Sequence, residues 1–83
     1  MFLLIWALNK EAPIHKDNMI NAYDTLQIAL AAANCQMEDS MFEEVVFEPV
    51  EDFSFGYHDV IQAWTTKQGE ILIIIKMEIK NDI

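Results

Sequence analysis

The most continuous apolar stretches lie near the two ends of the chain, and both predict β-strands. Residues 2–8 are apolar without alternation, as expected for a strand covered on both faces. Residues 59–66 and 70–80 flank residues 67–69 (KQG), a hairpin signal with glycine in the turn. The last strand is apolar on both faces in its first half. We therefore expect the first and last strands to lie in the middle of a sheet.

Apolar side chains spaced three and four positions apart predict one long helix, roughly over residues 18–35. Asp17 or Asn18 supplies its N-cap, and Asn34 is suited to end it in a left-handed conformation. A proline and several polar residues predict a loop over 9–16 before it. The apolar positions of the helical pattern are Ala22, Leu26, Ala29, Leu30, Ala33 and Met37.

The segment after this helix allows two interpretations. Ser40 and Glu43 have the spacing of a capping box for a short helix, whereas the adjacent β-branched residues Val45 and Val46 favour a strand over 44–48, which we choose. The predicted fold is a single α+β domain over residues 1–83, in the order β-α-β-β-β. A mainly antiparallel sheet of about four strands would carry one long helix on one face. Its second apolar face would then need a short helix, a homodimer partner or the target as cover, and we expect a dimer or a partner.

Composition supports one folded domain and indicates its compartment. Hydrophobic residues make up 53% of the 83 residues, far above the disordered range. A chain of this size buries only about 60–65% of its unfolded surface, so a partner often completes the core. Cys35 is the single cysteine, which excludes an internal disulfide framework and favours a reducing cytoplasm. The apolar opening is too short for a transmembrane helix and lacks the basic residues of a signal peptide.

Negative charge is concentrated in the middle of the chain. The sequence has 14 acidic residues against 5 basic ones, and its formal net charge is −9. No lysine occurs between Lys16 and Lys67, and aromatic and branched residues are interleaved with the acids there. This pattern favours an ordered acidic surface, although acidic runs are commonly just solvated loops. The acids of this segment are Asp17, Asp24, Glu38, Asp39, Glu43, Glu44, Glu48, Glu51, Asp52 and Asp59.

Most active-site chemistries lack their residues in this sequence. Two glycines provide no phosphate-cradling loop, and one cysteine with two distant histidines provides no zinc site. His58 and Asp59 are adjacent, so on a strand they would point to opposite faces and form no catalytic pair. The acidic segment lacks the ligand alternation and central glycine of a calcium loop. We expect no enzyme activity, no cofactor, no metal and, given the charge, no direct nucleic-acid binding.

These features predict a small acidic, non-enzymatic inhibitor that binds a basic surface of a nucleic-acid-handling protein, with carboxylates in place of phosphates. In size, acidity and lack of catalytic motifs the whole chain resembles phage anti-defence proteins such as anti-CRISPR and anti-restriction DNA mimics. This resemblance of profile, carried by no motif, implies a target in the host-cell cytoplasm. The predicted partner-binding residues are Glu38, Asp39, Glu43, Glu44, Glu48, Glu51, Asp52, Asp59, Phe53 and Tyr57, with Phe42 and Phe55 as further aromatic anchors.

Two other functions are compatible with the same sequence. An immunity protein or antitoxin would present the same acidic face to a basic nuclease toxin. An oligomerising structural protein would use its second apolar sheet face, and its charge would only keep it in solution. Reversing the charge of the acids between residues 43 and 52 separates this last function from the two inhibitors, because only the inhibitors would lose activity.

Overall fold

The computed structural model describes residues 1–7, 19–54 and 59–77, which form one antiparallel sheet and one helix. The elements are β1 (Phe2–Ala7), β2 (Met19–Tyr23), α1 (Leu26–Met41), β3 (Glu48–Val50), β4 (Asp59–Thr65) and β5 (Ile71–Lys76). The strands lie in the order β2-β1-β5-β4-β3, and α1 packs on β1, β2 and β5. The α+β class is confirmed, with five strands in the described ranges where about four were expected.

Strands β1 and β5 pair with each other in the interior of the sheet, as their continuous apolar sequences predicted. Phe2 lies opposite Lys76, and Ala7 lies opposite Ile71. Residues 71–75 are all fully buried, because β5 has a neighbouring strand on each side and packed side chains on both faces. The central strands are therefore identified by the absence of alternation in their hydrophobicity.

The first of two apolar cores lies between the sheet and α1. Ala29 and Ala33 are fully buried, and their small side chains allow the helix to approach the sheet closely. They pack with Leu4, Leu72 and Ile74 from the sheet. Partly buried side chains complete this core: Phe2, Trp6, Tyr23, Leu26, Leu30, Ala32, Met37 and Phe47.

The opposite face of the sheet contains a second core within the single chain. Ile5, Ile73 and Ile75 expose none of their surface, and Val50 and Phe53 pack against their cluster. We expected this face to need a partner or a second subunit as cover, and that expectation is wrong, because its central side chains have no exposed surface to offer. A homodimer stays a prediction, but these residues cannot form its interface.

The helix begins and ends later than its predicted span of 18–35. Thr25 is the N-cap, and its Oγ1 accepts a hydrogen bond from the Ile28 N–H at 3.2 Å. Residues 19–23, predicted as the first turns of the helix, form β2 instead. Asn34, predicted to end the helix, lies inside it. The predicted caps Asp17 and Asn18 and the predicted loop over 9–16 lie outside the described residues.

The predicted strand over 44–48 is also wrong, because residues 42–44 form the hydrogen-bonded turn that ends α1. The strand in this region is β3, which has three residues. It pairs with β4 so that Val50 lies opposite Ala63. Pro49 in its middle can donate no hydrogen bond, which is tolerated because β3 is an edge strand.

The hairpin between β4 and β5 has the predicted turn. Gly69 has a φ of 92°, a left-handed conformation that favours glycine. The Thr66 N–H donates to the Glu70 carbonyl oxygen at 3.1 Å, and the Glu70 N–H donates to Thr66 Oγ1 at 3.2 Å. These two bonds fix the backbone of Glu70 at the point where β5 begins.

Candidate functional site

The end of α1 is a Schellman motif. The Val45 N–H donates to the Ser40 carbonyl oxygen at 3.0 Å, and the Glu44 N–H donates to the Met41 carbonyl oxygen at 3.1 Å. Glu44 is the left-handed residue of the motif, with a φ of 62°. Glycine is the usual residue at such a position, and here it is a glutamate. The motif holds residues 41–44 in a defined turn.

Phe42 is the most exposed large apolar residue in the described part of the chain, with 89% of its surface accessible. The buried Ser40 lies two positions earlier, and two positions correspond to about 200° around a helix, so Phe42 points to solvent. Met41 beside it is 62% exposed, and the two line a cavity of about 410 Å³ together with Glu38. The two adjacent exposed apolar side chains make this end of the helix a candidate contact surface.

Three acidic residues lie next to this apolar patch in the chain. Glu38, Asp39 and Glu43 are all exposed, and the last turn of α1 contains no basic residue. The negative pole of the helix macrodipole lies at the same end and adds to their potential. Acids at this pole cost stability, about 0.3–1 kcal/mol each, instead of contributing to it. We call the set Glu38, Asp39, Met41, Phe42 and Glu43 the helix-end surface.

A cavity of about 290 Å³ opens beside the helix-end surface, and we call it the carboxylate recess. Its acidic lining residues are Asp39, Glu43 and Glu70, and the hairpin holds the backbone of Glu70. The indole N–H of Trp6 is buried and has no acceptor in the part of the chain that the structure describes. The residues lining the recess are Trp6, Gln36, Asp39, Ser40, Glu43, Val45 and Glu70.

Three of the predicted acids lie elsewhere, at the start of β4. Since β3 runs antiparallel to β4, Glu51 and Asp52 follow β3 towards Val60, and with Val60 they line a cavity of about 520 Å³. Asp59 begins β4 itself. At about 3.4 Å per residue, Val60 and Thr65 are roughly 17 Å apart along β4. The predicted acids therefore do not form one face, and we call Glu51, Asp52 and Asp59 the β4-start acids.

The two lysines of the described ranges lie next to acids outside the helix-end surface. Lys67 lines a cavity of about 260 Å³ together with Glu44 and Glu48. Lys76 lies opposite Asp59 in the pairing of β4 with β5, where opposite charges attract. Within those ranges, neither lysine lines a cavity with Glu38, Asp39 or Glu43.

The exposure of the predicted site residues differs between the acids and the aromatic side chains. All eight predicted acids are exposed. Phe53 is half-buried and packs against the second core, which leaves it far less surface for a partner than Phe42 has. Tyr57 and Phe55 lie outside the described residues. Trp6 and Glu70 were missed, because each comes from a distant strand or hairpin and neither belongs to the acidic segment.

Comparisons with protein families, curated proteins and solved structures found no match to the chain. In residues 1–7, 19–54 and 59–77, no three His, Cys, Asp or Glu side chains form a group that could hold a metal ion. No helix among these residues is long and apolar enough to cross a membrane. The proposal below is therefore based on the geometry and charge of the surface.

Proposed function

We propose that the chain is a small non-enzymatic inhibitor that binds a basic surface of a nucleic-acid-handling protein in the cytoplasm. The helix-end surface would make the contact. The observation that carries this proposal is the position of Phe42, which is 89% exposed at the negative pole of a helix and flanked by Glu38, Asp39 and Glu43. A few large side chains that become fully desolvated near the centre of an interface carry most of its binding energy, and Phe42 has the exposed surface for such a contact.

The chemistry of a nucleic-acid groove complements this surface. Such grooves are lined by arginine and lysine, which bind phosphates, and carboxylates fixed on a rigid turn can replace those phosphates. The Schellman motif supplies the rigid turn. An arginine of the target can also stack on the Phe42 ring, which adds a cation–π attraction to the ion pairs. Association would be steered electrostatically and would weaken as the salt concentration rises.

The carboxylate recess fits one long basic side chain of such a target. Asp39, Glu43 and Glu70 line the same cavity, and the side chain of Trp6 supplies an aromatic wall. A guanidinium or ammonium group entering this recess would lie in a cavity lined by three acidic residues and would be partly removed from the bulk solvent, where screening is strongest. The recess would give the interaction a specific docking point, which a diffuse acidic surface does not have.

The test is a pull-down with the immobilised chain from a lysate of the encoding organism, or of its host if the gene is phage-borne. Captured proteins are identified at about 50 mM and about 200 mM salt, and elution by duplex DNA or RNA is measured. We expect capture of nucleic-acid-binding proteins that falls with salt and is competed by the nucleic acid. Phe42→Ala should weaken the interaction by about 2 kcal/mol, roughly thirtyfold in Kd.

Two charge variants supply a matched comparison. One combines Glu38→Gln, Asp39→Asn and Glu43→Gln at the helix end, and the control combines Glu51→Gln, Asp52→Asn and Asp59→Asn among the β4-start acids. Both remove three negative charges, so only a local contact distinguishes them. We expect the first variant to lose capture and the second to keep it. Equal capture by both variants, or capture that neither salt nor nucleic acid reduces, would refute the proposed function.

A further inference from the structure

Strand β2 forms one edge of the sheet, and its outer side has no partner strand among the described residues. Its residues 19–22 are all exposed, including Met19 and Ile20, of which 53% and 43% of the surface are accessible. The register with β1 is continuous over residues 19–23, without a bulge. A regular, exposed edge of this kind presents a row of unpaired backbone N–H and C=O groups.

The other edge of the sheet is protected in ways that β2 is not. β3 has only three residues, contains Pro49 and begins with the exposed Glu48. A short strand, a proline and charge are the standard devices that prevent a sheet edge from pairing with another chain. β2 has five residues and contains no proline, glycine or charged residue. The two edges thus differ in length, proline content and charge.

We propose that a second copy of the chain pairs with β2 in an antiparallel, two-fold symmetric dimer. Charge favours a second copy at this edge over a basic partner. A basic partner would be attracted to the acidic surfaces, whereas two chains of net charge −9 repel each other least where they meet through an uncharged strand. β2 is uncharged and lies at the far end of the strand order from β3 and the acids that follow it.

Full overlap of the two strands fixes the register of the dimer. The two-fold axis would pass at Asn21, so that Asn21 lies opposite the partner's Asn21. Ile20 would then lie opposite the partner's Ala22. The pairing with β1 places Ile20 on the same face as Ile5, the face of the second core. The result is one continuous ten-stranded sheet, with both helices on the same face and both helix-end surfaces free.

The first test is the molar mass in solution, measured by analytical ultracentrifugation from micromolar to millimolar concentration. We expect a dimer in the wild-type chain and a rise of at least about tenfold in its dissociation constant for Ile20→Lys, which introduces charge at the edge. Ile28→Lys is the matched control, because Ile28 is 51% exposed on α1 and undergoes the same change. A monomeric wild-type chain, or equal effects of the two variants, overturns the proposal.

A cross-linking test checks the register and does not depend on the charged variant. Directly opposed residues of two antiparallel strands have Cβ atoms about 4.5–5.5 Å apart, close to the range that a disulfide requires. In a Cys35→Ser background, which removes the exposed native thiol, Asn21→Cys should give a covalent dimer under mild oxidation. Gln27→Cys on the exposed face of α1 should not. Similar yields of covalent dimer from both variants contradict the β2 pairing, whatever the outcome for the proposed function.

Discussion

Replacing Glu44 with glycine is expected to stabilise the chain, because Glu44 occupies the left-handed position of the Schellman motif. This conformation costs a residue with a Cβ about 1–2 kcal/mol. Glycine avoids that cost but loses about 0.5–1 kcal/mol through its freer unfolded state. Removing a carboxylate from the negative end of the helix returns about 0.3–1 kcal/mol. The expected net gain from Glu44→Gly is about 1 kcal/mol, or about 4–8 °C in Tm for a domain of this size.

The assay is urea unfolding followed by tryptophan fluorescence, with the midpoint and the slope determined separately. Glu44→Gln is the control, because it removes the charge and leaves the left-handed strain in place. Asp52 has a φ of 59°, and aspartate adopts this region more readily than glutamate, so Asp52→Gly should gain less than Glu44→Gly. A Glu44→Gly variant no more stable than Glu44→Gln would show that the strain is absent and that the helix does not end as described.

Two further variants test the parts of the fold that differ from expectation. Thr25→Ala should destabilise the chain by about 1 kcal/mol, because it removes the acceptor of the Ile28 N–H, whereas Thr25→Ser should be nearly neutral. Equal stability of the two variants in urea unfolding would show that Thr25 is not the N-cap of α1. Ile73→Ala should cost about 2–5 kcal/mol and Ile73→Val about 0.5–1.5 kcal/mol, because Ile73 is fully buried on the second face. A cost below about 0.5 kcal/mol for Ile73→Ala in thermal unfolding would be typical of a surface position and would contradict the second core.

The central strands and the hairpin could be predicted from the sequence because their signals are local and unambiguous. An unbroken apolar run indicates a strand covered on both faces, and Gly69 meets the left-handed requirement of its turn. β2 could not be predicted in the same way. It is an exposed edge strand without hydrophobic alternation, and Ala22 happens to fit the helical spacing that continues from Leu26. Asn18 and Thr25 are both acceptable caps in the sequence, and only the tertiary structure selects Thr25.

The acidic character of the candidate site could be predicted from the sequence, but the arrangement of its residues could not. That the acids are exposed follows from their polarity, but the separation of the β4-start acids from the helix end follows from the direction of β3 along β4, which spacing does not reveal. The helix end was hidden because Glu44 is not one of the residues that normally signal a left-handed cap. With that end placed too early, Phe42 was one candidate anchor among several. Ser40 is buried, and the helical rotation over the next two residues turns the ring of Phe42 to solvent.

The pairing of β1 with β5 has a consequence for how the chain folds. It joins the first and last strands of the described sequence, so the central pair of the sheet forms only after almost the whole chain has been brought together, and such long-range pairing is slow. Until then residues 71–75 form an exposed five-residue apolar segment of isoleucine and leucine with strong β-propensity, the kind that nucleates cross-β aggregation. Because both of its faces are apolar, a shift of one residue would still bury hydrophobic side chains, so hydrophobicity alone does not select the register. The hairpin turn at Gly69 therefore has to set the register of β5 against β4 first. Early formation of this hairpin would favour folding over aggregation.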